Sequence, residues 1–158
     1  MSGAKRAEPA IMTEIVFPQD TNPLGTMFGG AAYALMDKAA GIAAMRFAGT
    51  MAVTASSESV DFSVPIRHGM IVEVVATVIH TGTTSLIVRT ELFYEDPLKP
   101  GKARATVGYF TMVAVDGEGK PARVPTLLVE SAPERADWEL GEEIRERARL
   151  RRERHGQR

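Results

Sequence analysis

Asp37 is a lone carboxylate among very small residues. Positions 28 to 48 contain no proline and only three charged side chains. A helical period of about 100° per residue places Asp37 on one stripe with positions 30, 33, 34, 40, 41, 44 and 48, which are Gly, Tyr, Ala, Ala, Gly, Ala and Ala. Because burying an unpaired carboxylate is costly, Asp37 has either a hidden partner, such as a strand backbone or a Ser or Thr hydroxyl, or a chemical role as base or nucleophile. Glu58 and Asp61, on a strand-like segment, compete for that role.

Gly29 and Gly30 open the same predicted helix. The first N–H groups of a helix lack internal partners and lie at the positive end of its dipole, so they suit an anionic oxygen. The alternative is a tight turn from loop to helix. Asp37 lies two turns further on, roughly 10 Å away along the axis. If both groups act on one substrate, they come from different chains, which predicts a dimer with shared sites.

Polar groups outside the helix add further candidates. Asn22 can donate an amide hydrogen bond to a substrate or satisfy its own loop. Gly82, Thr83, Thr84 and Ser85 form a hydroxyl-rich turn that suits phosphate or pantetheine amides, or serves only as a turn. Six basic residues are ordinary surface candidates for a phosphate: Arg67, Lys99, Lys102, Arg104, Lys120 and Arg123.

Other kinds of site have little support. The chain has no cysteine and three scattered histidines, which argues against a metal centre. His68 and His80 are interpreted as solvated or hydrogen-bonded residues. No GxGxxG, GxSxG or Walker pattern is present.

The surrounding elements form an α+β pattern. Phe28, Ala32, Leu35, Ala39, Ile42 and Ala43 form the core stripe of the helix, and Gly49 is its predicted stop. Strands are predicted at 12–17, 53–64, 70–81, 84–95 and 103–115, with a hairpin turn at Gly82-Thr83. Short turns make neighbouring strands antiparallel, so the expected architecture is an antiparallel sheet curled around one apolar helix. We expect a disordered start (1–10), one domain (11–130) and a charged, solvated, partly frayed helical extension (131–158).

Composition describes an ordinary globular chain. It has 158 residues, 44% hydrophobic and 25% charged, with a net charge of −1 that gives no argument for nucleic acid. The N-terminus lacks the apolar run of a signal peptide. Asp37 and Lys38 interrupt the one segment long enough to span a membrane. These features predict a cytoplasmic protein without membrane or nucleic-acid partners.

Several motifs in the same order resemble one family. The run from Asp20 to Gly30, Asp-Thr-Asn-Pro-Leu-Gly-Thr-Met-Phe-Gly-Gly, is followed by Met36-Asp37. Further matches are Val60-Asp-Phe62, Pro65, Gly69, Gly82-Thr-Thr-Ser85 and Val113-Ala-Val-Asp-Gly-Glu-Gly-Lys-Pro121. Together these motifs, over about residues 12–127, resemble the hotdog-fold acyl-CoA thioesterases, and in particular the YciA-like and cytosolic acyl-CoA hydrolase subgroup.

The resemblance implies a hotdog fold that forms homodimers, with a trimer of dimers as a further assembly. Asp37 matches the catalytic carboxylate of the family. The backbone of Gly30, with Gly29, matches the group that polarises a thioester carbonyl across the dimer interface. The hairpin 82–85 would lie near the coenzyme A arm, and we count Phe28 among the substrate contacts and Asn22 among the catalytic residues. Departures from the family pattern occur at Thr26, Lys38 and Met70, and the extension after residue 130 lies outside the match.

The expected reaction is hydrolysis of acyl-CoA to a free acid and coenzyme A. No cofactor is expected, since coenzyme A enters as part of the substrate. Whether Asp37 acts as a general base or a nucleophile stays open, as does the acyl chain length. The alternative function is a non-catalytic acyl-CoA sensor on the same fold. A hydratase ranks last, because no histidine lies on the central helix or its approach loop.

Overall fold

Five strands and two long helices make up residues 3–156, the part of the chain that the computed structural model describes. The elements in chain order are β1 (Ala10–Ile15), α1 (Gly29–Ala48), β2 (Met51–Ser57), β3 (Ile71–Thr81), β4 (Ser85–Glu95), β5 (Ala103–Val115) and α2 (Ala132–Arg154). A single 3-10 turn at Pro18–Asp20 lies in the loop before α1.

The strands form one antiparallel sheet in the order β1-β3-β4-β5-β2. Val72, Val74 and Ala76 of β3 are fully buried in the core beside α1. This confirms the predicted sheet curled around one helix. The β3–β4 connection spans residues 82–84, one residue longer than the simplest hairpin turn.

Small residues let α1 lie close to the sheet. Its buried side chains are Ala32, Leu35, Met36, Ala39, Ala40, Ala43, Ala44 and Phe47. Ala40 and Ala44 lie on the Asp37 stripe and are nevertheless buried, because the curled sheet covers more of the helix than one stripe. The predicted core stripe needs one correction. Phe28 is 51% exposed rather than core, because it is the non-helical N-cap residue and the helical period does not extend to it.

Both predicted limits of α1 are close to the observed ones. Gly49 ends the helix in the left-handed conformation, with φ of 71°, as expected for a helix stop.

Lys5 Nζ donates hydrogen bonds to the last carbonyls of the helix, at 2.9 Å from Arg46 O and 3.0 Å from Phe47 O. Lys5 belongs to the segment predicted as a disordered start, of which residues 1 and 2 lie outside the described residues. The backbone of Lys5 also hydrogen-bonds to residues 126 and 128.

β2 is shorter than predicted. It ends at Ser57 rather than Val64, after a register shift between Thr54 and Ser56, and the chain then leaves the sheet in irregular backbone. β2 is also an edge strand with solvent-exposed apolar side chains, since Met51 is 60% and Val53 51% exposed. Exposed apolar edge strands are pairing surfaces.

α2 packs on the outer face of the sheet. A capping box between Ser131 and Glu134 starts the helix, and the backbone N–H groups of Ser131 and Glu130 lower the pKa of the Glu134 carboxyl. Ile144 of α2 is 1% exposed, in a second cluster with Ile79 and Ile87. One face of α2 is therefore packed against the sheet, which differs from the expected solvated, partly frayed helix. The division of the chain at residues 10 and 130 stays a prediction.

His80 forms the centre of this docking surface. It is 1% exposed, its Nε2 lies 2.7 Å from Glu142 Oε1, and its ring centroid lies 4.2 Å from that of Trp138. A Cβ on Gly141 of α2 would lie 2.3 Å from His80 Cβ. Only a residue without a side chain lets the helix approach the sheet this closely.

Replacing Gly141 with alanine is therefore expected to lower the free energy of unfolding by about 1–3 kcal/mol, the usual cost of overpacking. Urea denaturation followed by circular dichroism measures this loss. Glu143→Ala, at an exposed position of the same helix, is the matched control and should change the midpoint little. Equal midpoints for Gly141→Ala and wild type would contradict the docking described above.

Candidate active site

Asp37 has a hydrogen-bond partner, as one of the two alternatives from the sequence predicts. Thr54 Oγ1, on β2, donates a hydrogen bond of 2.6 Å to Asp37 Oδ1. Asp37 is only partly buried and Thr54 is exposed, so the carboxylate is held without being sealed off. Within residues 3–156, Oδ2 of Asp37 accepts no side-chain hydrogen bond, and it is available to a substrate or water.

A second hydrogen bond joins the same two elements one turn earlier. Tyr33 OH and Ser57 Oγ are 2.7 Å apart, and the Tyr33 ring packs against Phe110 with centroids 5.3 Å apart. α1 and β2 are thus connected at both Tyr33 and Asp37. These contacts fix the orientation of the helix face that carries the carboxylate.

The N-terminus of α1 has no cap. Phe28 cannot accept a hydrogen bond with its side chain, and in the described part of the chain no backbone acceptor outside the helix takes the N–H of Gly29 or Gly30. A Cβ on Gly29 would lie 3.2 Å from the Phe62 ring, whereas nothing lies within 4 Å of one on Gly30. Two N–H groups at the positive end of a helix dipole are therefore free to bind an oxygen.

A cavity of about 280 Å³ adjoins this helix end. Its lining mixes polar and apolar residues: Asn22, Thr26, Met27, Gly29, Ala32, Phe62, Ser63, Val64, Pro65, Ile66, Leu92, Ala105 and Thr106. Asp37 does not line it. Within one chain, the carboxylate and the glycine N–H groups stay roughly 10 Å apart along the helix.

Asn22 is occupied by its own loop. Its Oδ1 accepts hydrogen bonds from the backbone N–H of Leu24 at 3.0 Å and of Thr26 at 3.2 Å, and its Nδ2 donates to Thr26 Oγ1 at 2.9 Å. Asn22 therefore forms hydrogen bonds within its own loop, which is the second of the two roles expected from the sequence. Asn22 still lines the cavity, and its bonds shape the loop that leads to Gly29.

The hairpin lies on the Asp37 side of the molecule. Thr54 pairs with Met112 on β5, which pairs with Leu86 on β4, the residue after Ser85. Each strand spacing is about 5 Å, so two spacings separate Thr54 from Leu86. In a single chain the structure thus groups Asp37 and Thr54 near the hairpin, and Asn22 with the glycine pair elsewhere.

Thr54 was not among the predicted site residues. The signal available in the sequence was the run of Ser and Thr on the strand directly after the helix, where a hydroxyl can face a helical carboxylate. The competing acid Glu58 is engaged by Arg147 at 3.5 Å and Arg151 at 3.2 Å. Asp61 is exposed, and its backbone oxygen accepts a hydrogen bond from the Thr106 hydroxyl.

Most of the six basic phosphate candidates have carboxylate partners. Lys99, Lys102, Arg104 and Lys120 form ion pairs with Asp96, Glu73, Glu91 and Glu118, respectively. The hydrogen bond from Lys102 to Glu73 raises the pKa of the Lys102 ammonium. Their charge is thus largely neutralised locally.

Residues 3–156 contain neither a candidate metal site nor a candidate membrane-spanning helix. No group of three or more His, Cys, Asp or Glu side chains is arranged to hold a metal ion. No helix in this range combines the length and apolar character needed to cross a membrane.

The sequence of this chain is similar to those of known thioesterases. Residues 24–100 match the family model described as Thioesterase superfamily. An uncharacterized acyl-CoA thioester hydrolase of Zymomonas mobilis is 34% identical over 124 residues, which are 78% of this chain and 83% of that protein. The cytosolic acyl coenzyme A thioester hydrolase of Rattus norvegicus is 33% identical over 133 residues, 82% of this chain and 35% of that protein.

Solved structures match over nearly the whole chain. An acyl-CoA hydrolase from Staphylococcus aureus, as an asparagine-to-alanine variant in complex with coenzyme A, has a TM-score of 0.91 and 37% identity and covers 99% of this chain and 95% of its own. Its aspartate-to-alanine variant has a TM-score of 0.89, 37% identity and coverage of 98% and 96%. Its threonine-to-alanine variant has a TM-score of 0.86, 38% identity and coverage of 94% and 91%.

An apo-hexameric acyl-CoA thioesterase has a TM-score of 0.88 and 36% identity, and the match covers 94% of this chain and 97% of that one. The 99% coverage in the first of these structures includes α2. The C-terminal extension, which lay outside the sequence motifs, is therefore within the structural match.

Proposed function

The chain belongs to the thioesterase superfamily and is an acyl-CoA thioester hydrolase, and from this premise we propose how its residues form the active site. The resemblance to hotdog-fold acyl-CoA thioesterases and the predicted fold are confirmed. The relatives are named as hydrolases, which does not favour the alternative of a non-catalytic sensor. The reaction adds water to the thioester and releases a carboxylic acid and the coenzyme A thiol.

The carbonyl oxygen of the thioester binds at the N-terminus of α1. The N–H groups of Gly29 and Gly30 donate to this oxygen. They stabilise the oxygen more strongly as negative charge develops on it during attack. Support comes from the uncapped helix end, the absence of side chains on both residues and the adjoining cavity, which Asn22 of the approach loop also lines. Neither glycine has a side chain of its own that could shield its N–H group from the carbonyl.

Asp37 supplies the catalytic carboxylate. As a general base, it accepts a proton from water while the water oxygen attacks the carbonyl carbon; the tetrahedral intermediate then expels the thiolate, which takes that proton. As a nucleophile, it attacks the carbonyl carbon and expels the thiolate; water then hydrolyses the resulting anhydride, and the thiolate takes up the proton that restores the Asp37 carboxylate. The observation that carries the assignment is the accessible carboxylate, held by Thr54, on a helix face of small residues.

Residue spacing gives independent support. The asparagine, aspartate and threonine replaced in the S. aureus hydrolase have the same separations along the chain as Asn22, Asp37 and Thr54 have here. We infer that Thr54 orients the Asp37 carboxylate and that Asn22 shapes the loop beside the carbonyl site.

A second copy of the chain completes each site. The N–H groups of one protomer and Asp37 of its partner would meet when the two copies associate around a twofold axis. Support comes from the exposed apolar edge of β2 and from the exposed positions Gly30, Ala34 and Lys38 on α1. The hexameric relative supports assembly of three such dimers.

Water, a carboxylate and two amide groups are sufficient for this reaction, so we propose that it needs no cofactor beyond the coenzyme A of the substrate. We place the protein in the cytoplasm and assign it no nucleic-acid or membrane partner. The name of the rat relative, a cytosolic hydrolase, supports this location.

Thiol release from a panel of acyl-CoA esters tests the function. The protein is mixed with esters of increasing chain length, and free coenzyme A is measured with a thiol-reactive dye. We expect release that saturates with substrate and depends on chain length. Binding of acyl-CoA, measured by calorimetry, without any thiol release would identify a sensor instead of an enzyme.

A further inference from the structure

An arginine of α2 lies against the β3–β4 hairpin. A Cβ on Gly82 would lie 3.5 Å from Arg145 Cζ and 3.6 Å from its Nη2. The guanidinium thus contacts the hairpin at the residue that has no side chain to displace it. This contact brings the positive charge of a C-terminal helix to a loop more than fifty residues earlier in the sequence.

The charge of Arg145 is available for a ligand. Its neighbours on α2 are paired with carboxylates: Arg147 and Arg151 with Glu58, and Arg149 with Glu146 and Glu153. Among residues 3–156, no carboxylate lies within 4.0 Å of Arg145 to form such a pair. The backbone of Arg145 is nevertheless held in place, because the preceding residue, Ile144, is buried against the sheet.

The hairpin offers hydroxyl donors at the same point. Thr83, Thr84 and Ser85 make no side-chain hydrogen bond within the part of the chain that the structure describes. Their backbone is fixed, since Thr83 O accepts from Val124 N at 3.0 Å and Thr84 O accepts from Ala114 N at 2.9 Å. A guanidinium beside hydroxyls on a fixed loop suits the oxygens of a phosphate group.

We propose that Arg145 and the hydroxyls of residues 83–85 bind a phosphate group of coenzyme A. The proposal rests on the function proposed above, because Asp37 marks the position of the thioester. Leu86, next to the hairpin, is two strand spacings, about 10 Å, from Thr54 at the Asp37 carboxylate. An extended pantetheine arm covers that separation, so its nucleotide end reaches the hairpin. α2 is then part of the substrate-binding surface.

Two variants of α2 test this proposal. Arg145→Ala removes the guanidinium at the hairpin, and Arg149→Ala is the matched control, an arginine on the same helix that is paired with Glu146 and Glu153. Each is assayed with acyl-CoA, with acyl-3′-dephospho-CoA and with acyl-pantetheine, which lacks all phosphates. Circular dichroism verifies that both variants are folded.

Arg145→Ala is expected to raise KM for acyl-CoA about tenfold, the effect of losing one charge-assisted hydrogen bond, with kcat nearly unchanged. With acyl-pantetheine this difference from wild type should vanish. If it also vanishes with acyl-3′-dephospho-CoA, the bound group is the 3′-phosphate; if it persists there, the bound group is in the diphosphate. Arg149→Ala should match wild type on all three substrates.

Two results would overturn the proposal while leaving the thioesterase function intact: an unchanged KM for acyl-CoA in Arg145→Ala, or an equal rise with acyl-pantetheine. Calorimetric titration with free coenzyme A separates binding from turnover, and Arg145→Ala should weaken it about tenfold as well. A wild-type protein that neither binds coenzyme A nor hydrolyses any acyl-CoA would instead refute the proposed function, and this inference with it.

Discussion

Replacing Asp37 with alanine is expected to lower kcat for acyl-CoA hydrolysis by a factor of about 10² to 10⁴, the usual contribution of a positioned general base. The carboxylate is the group that we assign to activate water or attack the carbonyl, and the alanine variant retains neither ability. Steady-state thiol release with saturating substrate measures the change in kcat.

Two controls accompany this variant. Asp37→Asn keeps the side-chain shape and an oxygen that can accept the hydrogen bond from Thr54, but it cannot take up a proton; it should lose activity as well, with substrate binding retained. Glu8→Ala removes an exposed carboxylate near the start of the chain, outside the proposed site and dimer contact, and should stay active. Near-normal turnover in Asp37→Ala would reject the assignment of the catalytic carboxylate.

The same residue allows the two chemical routes to be separated. In a single turnover in ¹⁸O-labelled water, with enzyme in excess, attack by Asp37 forms an anhydride, and hydrolysis at the aspartyl carbon leaves label in the carboxylate. General-base catalysis puts the label only in the released acid. Label found by mass analysis in the peptide containing Asp37 therefore identifies Asp37 as the nucleophile.

Mixing two inactive variants is expected to restore activity. We pair Asp37→Ala with Gly30→Pro, which removes the N–H that we assign to the thioester oxygen. If each site takes Asp37 from one chain and the N–H from the other, a mixed dimer has one intact site and one doubly damaged site. Random reassociation makes about half of the dimers mixed, so about a quarter of wild-type activity should return.

The proline substitution suits this position. Gly30 is the second residue of α1, and α2 carries Pro133 at the corresponding position. Apart from the adjacent residues and the nearby helix backbone, no atom of the described chain lies within 4 Å of a Cβ at Gly30, so a side chain is tolerated there within the protomer. The control mixture is Asp37→Ala with Asp37→Asn, in which no site is intact and no activity should return. Mixed dimers detected by native mass spectrometry but without activity would exclude a shared site.

Local patterns were sufficient for the main architecture. The proline-free run of mostly small and apolar residues before Gly49 predicted α1, and the turn residues between apolar segments predicted the antiparallel strands. Both depend on neighbours in the chain, through helical period, strand length and turn chemistry. The predicted limits differ at three places: Phe28 is a cap residue outside the helical period, β1 lies two residues earlier than predicted, and β2 ends at Ser57, after a register shift that its Ser-rich sequence does not reveal.

The amino-acid sequence by itself determined the fold class and Asp37 as the candidate carboxylate, because a single acid on a small-residue helix face is visible in the order of residues. Only the tertiary structure decided that Thr54 holds Asp37, that α2 docks through Gly141 on His80, and that Arg145 lies against Gly82. The physical reason is that these contacts join segments distant in the chain, and their energies depend on how closely helices and sheet approach, which no local pattern encodes.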